Sequence, residues 1–262
     1  MSGLRSILRA SGRTAGFAAL TSTLVYGNYA LRRVLPRVAE PAEKSRWIHA
    51  WTQGMLPLYG IDLRVVAGEP TPEGAPYLVV ANHRSPLDIL VCVHLVGGVV
   101  LSHHGVAKMP LVGDAARVTD TIFVDREDGK SGARAIREMR SRLREGRNVI
   151  VFPEGTTFAG DEVRPFKRGA FSAARGLDLR VLPIGTAYEP GAEFVGETFG
   201  RHLWRMSQRA RTPVWVAIGE PRPVPSNSEE EESLRGVIQG LVDACVAVRR
   251  AQSGLDAGDA RS

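Results

Sequence analysis

Tyr77-Leu78-Val79-Val80-Ala81 runs directly into Asn82-His83-Arg84-Ser85-Pro86-Leu87-Asp88. The first five residues are a short apolar run of the kind that fills a buried strand. The next seven read as a polar turn and the opening of a helix. Ser85 suits the N-cap, Pro86 the first helical position and Asp88 the third, which together make a capping box. A strand feeding a helix is the unit of α/β folds, which place their chemistry at the carboxyl ends of strands. The capping box accounts for Asp88, but it does not account for His83, which lies before the cap. A histidine at a strand end, with a carboxylate one helical turn away, satisfies the pattern of a general base oriented by an acid. Its ordinary pKa also suits imidazole to take a proton near neutral pH. Asp88 as cap and Asp88 as orienter both stay open at this point.

Outward from this stretch, strand and helix signals alternate. Strands are predicted at 62–66, Tyr77–Ala81, 99–102, 121–124, 148–152, 180–184 and 214–218. Helices are predicted at Pro86–Val96, 110–117, 130–145 and 167–175. The alternation predicts an α/β domain over 61–225, a mixed central sheet flanked by helices. A last amphipathic helix is expected over 233–250, within a C-terminal part 226–262 whose stretches 227–232 and 252–262 read as flexible. Residues 1–60 read as helical and different in character. Arg5, Arg9 and Arg13 share one helical face. No charge occurs in the 18 residues 14–31, after which come Arg32, Arg33 and Arg37. That run has the minimum length for a membrane span, but Gly16, Thr21, Ser22, Thr23, Gly27 and Asn28 weaken it. The reading taken is a helical anchor lying in the membrane interface with basic flanks, on the cytoplasmic face of the inner or plasma membrane. A span, a secretory signal and a helix buried on the domain are the alternatives. A second helix at 41–59 carries Trp47, Ile48, Trp51, Met55 and Leu56 near helical spacing.

The composition narrows the classes of partner. Among 262 residues, 34 Lys and Arg stand against 28 Asp and Glu, a net charge of +6. Such an excess favours phosphate-bearing molecules, anionic lipid surfaces or nucleic acid. No zinc-finger, helix-turn-helix or RNA-recognition signature accompanies it, so nucleic acid is not expected as a partner. The two cysteines, Cys92 and Cys245, make neither a disulfide framework nor a CxxC metal pattern.

Three further loops follow strand signals. Val149-Ile150-Val151-Phe152 leads into Pro153-Glu154-Gly155-Thr156-Thr157, whose amides and hydroxyls can receive an anion or an alcohol. Pro165-Phe166-Lys167-Arg168-Gly169 brings two cations to a predicted helix start, whose dipole also favours anions. Phe123-Val124-Asp125-Arg126 places an arginine, suited to bidentate phosphate recognition, at another strand end.

His83 with Asp88, Phe123-Val124-Asp125-Arg126, Phe152-Pro153-Glu154-Gly155-Thr156 and Val181-Leu182-Pro183-Ile184-Gly185 resemble, in order and spacing, the four blocks of the glycerolipid acyltransferases. That family is typified by 1-acyl-glycerol-3-phosphate acyltransferase, and the likeness covers roughly residues 60 to 220. The resemblance implies that His83 deprotonates an acceptor hydroxyl, which attacks the thioester of acyl-CoA or acyl carrier protein while Asp88 orients His83. It implies that Arg126 and the Glu154-Gly155-Thr156 loop place the acceptor and that the block around Pro183 shapes the acyl site. Val106-Ala107-Lys108 resembles an element carrying a lysine near the acceptor. Phosphatidate made from a lysophosphatidate acceptor is the expected product. No metal or prosthetic group is expected, because base catalysis and fixed oxyanion donors suffice. In many lysophosphatidate enzymes of the family an arginine follows Glu-Gly-Thr, whereas here Thr157 does. Lys167, Arg168 or Arg164 would then supply the cation, and the Glu-Gly-Thr-Thr form also resembles members that acylate lyso-ornithine lipids.

Rival classes fare worse on the residues. A metal hydrolase would need His83, Asp88, His103, His104 and Glu154 to converge, and adjacent His103 and His104 would point to opposite faces of a continuing strand. No GxSxG elbow exists for a serine hydrolase. Gly129-Lys130-Ser131 mimics the end of a P-loop but lacks the earlier glycine, since Val124 stands there. A non-catalytic membrane-surface module would have no need of a base.

Overall fold

In a computed structural model of the chain, residues 2–34, 41–70, 76–125, 127–167 and 169–259 are described. The sheet is mixed. Its strands are β1 (Ile61–Ala67), β2 (Tyr77–Ala81), β3 (Val99–His103), β4 (Ile122–Val124), β5 (Val149–Val151), β6 (Arg180–Tyr188), β7 (Thr212–Ile218) and the short β8 (Arg222–Pro223). They lie in the order β1-β7-β6-β2-β5-β3-β4, with β8 beside β6. From β6 to β4 the strands are parallel, and β7 turns antiparallel to β6. Parallel strands are covered on both faces, so they are apolar throughout. Leu78, Val79 and Val80 are all fully buried, although they alternate sides.

One face is covered by α3 (Pro41–Leu58), α4 (Pro86–Val96) and α7 (Phe199–Gln208), whose Ile48, Met55, Val91 and Met206 meet Val79, Ile150 and Ile184. The other is covered by α6 (Gly129–Arg144) and α8 (Ser228–Asp259), whose Met139, Leu143, Leu234 and Ile238 meet Leu78, Val80 and Val149. A short α5 (Val112–Val118) precedes β4. β2 and α4 keep the bounds read from the sequence, and the other predicted strands shift by a residue or two, except β6.

β6 runs on to Tyr188 because β7 pairs with it antiparallel, Ile184 opposite Ile218 through Tyr188 opposite Val214. Gly185 sits in this extension. A Cβ there would lie 2.6 Å from the Leu241 Cβ and 2.7 Å from the Val242 amide, so the glycine lets α8 lie close against the strand.

Three local expectations are corrected. The predicted helix at 167–175 does not form: residues 169–176 are successive turns, and Gly169 has φ +90°, outside right-handed helix space. The sequence reading gives no helix where α7 lies, a ten-residue element with Phe199, Leu203, Trp204 and Met206 set among Arg201, His202 and Arg205. The acidic stretch 227–232 is not flexible. Asn227 Oδ1 accepts from the Glu230 amide at 2.9 Å, and Glu229–Glu231 sit in the first turn of α8, where the helix dipole favours them. Likewise Gln252 is fixed, with Trp215 Nε1 donating to its Oε1 at 3.0 Å.

The N-terminal segment is α1 (Ser2–Ser22), a π-helical turn at Thr23–Gly27 and α2 (Asn28–Val34). α1 lies along α7 and α3. Arg9 donates to the Gln208 carbonyl at 2.8 Å, and Arg13 donates to the carbonyls of Ser207, Arg209 and Ala210. These carbonyls end α7, where helix geometry leaves oxygens without internal partners and the dipole is negative. Two of the three arginines expected as a basic membrane flank are therefore spent on the protein itself. Phe17 packs edge-on to Tyr59, centroids 6.4 Å apart. Among the described residues, no helix is long and apolar enough to cross a membrane, so the spanning alternative finds no helix to carry it.

Candidate active site

The strand–turn–helix predicted around Asn82–Asp88 forms, with β2 ending at Ala81 and α4 starting at Pro86. Ser85 caps α4 with its side chain accepting from the Leu87 amide, and Asp88 returns a bond to the cap backbone. The same Asp88 also reaches His83. Its Oδ2 lies 2.9 Å from His83 Nδ1 and accepts from the amides of Arg84 and Ser85 at 2.6 and 2.8 Å. Cap and orienter are thus one carboxylate serving both parts. Because an ionised carboxylate only accepts, Nδ1 carries a proton, and in the neutral tautomer this leaves the lone pair on Nε2.

Asp88 is fully buried. Burial by itself pushes its pKa up, but the bond and charge of His83, the Tyr188 hydroxyl and the Ser85 amide together hold it below the ordinary value. Tyr188 donates to Oδ1 at 2.5 Å and Thr186 at 3.1 Å. The Tyr188 hydroxyl is in turn pushed well above its usual pKa by burial and by the adjacent negative charge, so it stays a donor. Asn82 joins the same strands: its Nδ2 donates to the Thr186 carbonyl at 2.9 Å, and its Oδ1 accepts from the Thr186 amide at 2.8 Å.

The His83 ring stacks on Phe152, with centroids 4.3 Å apart and planes 20° from parallel. His83 is on the wall of a cavity of about 500 Å³ that passes between α1, α3, α4 and α5. Phe17, Trp51, Met55, Leu90, Val93 and Val100 make its surface mainly apolar. Gly155, Thr156 and Thr157 line it beside His83, and Gly155 turns the loop at φ +84°.

Other sequence-predicted residues fall in different places. Glu154 is 1% exposed and closed to a ligand. Its Oε1 accepts from the His83 amide at 2.7 Å and Arg84 Nη1 at 3.0 Å, and its Oε2 from Arg84 Nη1 at 3.0 Å and the Arg164 amide at 2.8 Å. It braces the two loops and does not meet the acceptor. Pro183 and its neighbours lie in the sheet and do not line the cavity; the Pro183 carbonyl accepts from Gly219 at 2.9 Å. Lys108 and Lys167 are exposed, while Arg126 and Arg168 lie outside the described residues. Thr157 donates its hydroxyl to the Phe194 carbonyl. β3 ends at His103, so His103 and His104 do not diverge across a strand: their rings lie 4.3 Å apart, tilted by 44°.

Sequence reasoning missed Asn82, Arg84, Thr186 and Tyr188. Asn82 and Arg84 flank His83, and nothing in a single sequence marks an arginine as 2% exposed. Thr186 and Tyr188 stand about 100 positions away and reach Asp88 only through the β2–β6 pairing.

A family model described as Acyltransferase matches residues 62–187. The lyso-ornithine lipid O-acyltransferase of Pseudomonas aeruginosa is 31% identical over 231 residues, covering 85% of this chain and 87% of that protein. The 1-acyl-sn-glycerol-3-phosphate acyltransferase of Neisseria gonorrhoeae is 26% identical over 218 residues, covering 79% of this chain and 83% of that one. In three dimensions the chain is similar to the crystal structure of the 1-acyl-sn-glycerophosphate acyltransferase PlsC from Thermotoga maritima. The TM-score is 0.69 at 25% identity, with 93% of this chain and 97% of that chain covered. A histidine paired with a buried carboxylate lines an apolar cavity, and the sequence shared with these enzymes places the chain in the acyltransferase family.

Proposed function

We propose that this protein transfers a fatty acyl chain from a thioester, acyl-CoA or acyl carrier protein, to the free hydroxyl of a lysolipid at the cytoplasmic face of a membrane. Its acceptor is 1-acyl-glycerol-3-phosphate and its product phosphatidate. The observation that carries the reading is the His83–Asp88 pair beside a cavity of about 500 Å³ with mainly apolar walls. His83 Nε2 takes the hydroxyl proton as the acceptor oxygen attacks the thioester carbonyl. The tetrahedral intermediate collapses with cleavage of the C–S bond, and the imidazolium returns its proton to the departing thiolate. Asp88 stabilises that imidazolium without moving. The apolar cavity takes the acyl chain, and Lys108, Lys167, Arg126 and Arg168 supply cations for an acceptor phosphate. Gly155 and Thr156 border the place where the acceptor approaches.

One observation favours a second acceptor. Thr157 commits its hydroxyl to Phe194 and puts no cation in the loop, and the 31%-identical relative is named for lyso-ornithine lipid. The test is purified enzyme with labelled acyl-CoA against lysophosphatidate, lyso-ornithine lipid and a neutral lysolipid. Phosphatidate as the dominant labelled product supports the main reading. Labelled ornithine lipid selects the second, and no labelled lipid in any arm rejects both.

Membrane contact is assigned to the outer side of the N-terminal helices. Leu4, Ile7 and Leu8 of α1 are exposed, as are Tyr26, Tyr29 and Val34 further along. Such a row suits a helix lying in the interface plane, and the +6 charge suits anionic lipid. Removing residues 1–36 would also strip Phe17 from the cavity, so substitution is the cleaner probe. Leu4→Ser with Leu8→Ser should lower binding to vesicles containing anionic lipid by roughly tenfold or more with the far-UV spectrum unchanged. Undiminished binding would refute this assignment.

A further inference from the structure

Beside the His83–Asp88 pair lies a second series of acid, imidazole and hydroxyl. Glu197 Oε1 is 2.9 Å from His202 Nδ1, and His202 Nε2 is 3.1 Å from Ser85 Oγ. The Glu197 carboxylate only accepts, so Nδ1 carries the proton and Nε2 accepts the Ser85 hydroxyl. Arg205 Nη2 stands 2.6 Å from Glu197 Oε1 and 3.0 Å from Nδ1, neutralising the acid. Burial lowers the His202 pKa, with Arg205 adding to this and Glu197 and Asp88 opposing it, which keeps the ring neutral and able to accept.

The atoms follow the order of a nucleophilic triad, yet Ser85 is fully buried and its oxygen already accepts from the Leu87 amide at 3.4 Å. It cannot meet a thioester. What it can do is hold the start of α4. The Ser85 amide is one of the two backbone donors on Asp88 Oδ2, so the conformation of Ser85 fixes the oxygen that orients His83. The same segment touches this loop again and is braced within itself. The Phe194 amide donates to the Arg84 carbonyl at 2.8 Å, and the Phe194 ring packs edge-on to His202 with centroids 5.0 Å apart. His202 itself also borders the apolar cavity.

We propose that His202 is a positioning residue for acyl transfer, acting through Ser85 to hold the Asp88 carboxylate against His83. The inference rests on the reading of His83 as the general base. Displacing a catalytic group by a fraction of an ångström to an ångström costs up to about 100-fold in rate, so His202→Ala should lower kcat by about 10- to 100-fold. KM should change far less than kcat, because His202 is only one of many residues lining the cavity while its bond to Ser85 acts on the reacting group. In His202→Gln the amide oxygen can still accept the Ser85 hydroxyl, and kcat should recover most of the loss. In a Ser85→Ala background, His202→Ala should add nothing further, since the two act as one unit.

A second measurement does not depend on turnover: the proton resonance of the His83 Nδ1–H···Asp88 hydrogen bond. It should shift or exchange away in His202→Ala and persist in His202→Gln. Full kcat in His202→Ala, an equal loss in the Ser85→Ala background, or an unchanged resonance would overturn the proposal. If His202→Ala does not fold, the comparison of wild type, His202→Gln and Ser85→Ala decides it, with the Gln variant required to stay close to wild type and the Ala variant to fall. An intact resonance in a wild-type protein that transfers no acyl group would reject the acyl-transfer reading, and the response of the resonance in the variants would still test His202.

Discussion

His83→Ala lowers acyl transfer by about 10²- to 10⁴-fold, the usual worth of a positioned general base, and leaves the fold intact. The separation of the two effects follows from where the ring sits. Its side chain is 17% exposed at the cavity wall and stacks on one face of Phe152, so its removal opens an existing cavity and makes no sealed void. Asp88 loses one donor and keeps four: the amides of Arg84 and Ser85 and the hydroxyls of Thr186 and Tyr188. Steady-state rates beside a thermal midpoint check both halves. Near-normal turnover would remove His83 from the mechanism, and a collapsed midpoint would make the loss of rate uninformative.

Glu154→Ala acts in the opposite manner. Arg84 is 2% exposed, and its guanidinium loses the carboxylate that it meets with both oxygens at 3.0 Å. The amides of His83 and Arg164 lose their acceptor as well. Removing one partner of a buried pair costs about 3–5 kcal/mol, a large part of the roughly 5–15 kcal/mol that stabilises a typical protein. The midpoint should fall by roughly 10 °C or more, and activity should fall with the folded fraction. Glu154→Gln keeps the shape and two acceptor lone pairs and should lie between. The pair of readouts discriminates: an unchanged midpoint with lost activity would return Glu154 to the acceptor site, where its motif alone had suggested it stands.

What could be read in the sequence was what is local. Ser85, Pro86 and Asp88 signal the start of α4 within four positions, and the apolar run before them signals β2. His83 follows from those two elements together, because it is left over once the cap is explained. The remainder of the site depends on pairings between distant segments. Thr186 and Tyr188 reach Asp88 because β6 extends four residues beyond its apolar run under the pull of its pairing with β7. Arg84 looks like a turn residue until burial and its bonds to Glu154 are seen. The charges of α1 suggest a membrane flank, but Arg9 and Arg13 find the carbonyl end of α7, a short helix that the sequence reading did not include. Lys167, expected at a helix start, instead precedes a series of turns, because Gly169 takes a conformation that no right-handed helix contains.

The central claim is that the acceptor hydroxyl, not water, receives the acyl group from the thioester, with His83 taking its proton. The most direct measurement counts free thiol released and ester-linked lipid formed in the same reaction with labelled acyl-CoA and lysophosphatidate, wild type beside His83→Ala. The account predicts one ester for each thiol in the wild type and almost neither in the variant. Thiol released without matching ester, or equal ester formation by the two proteins, would contradict it.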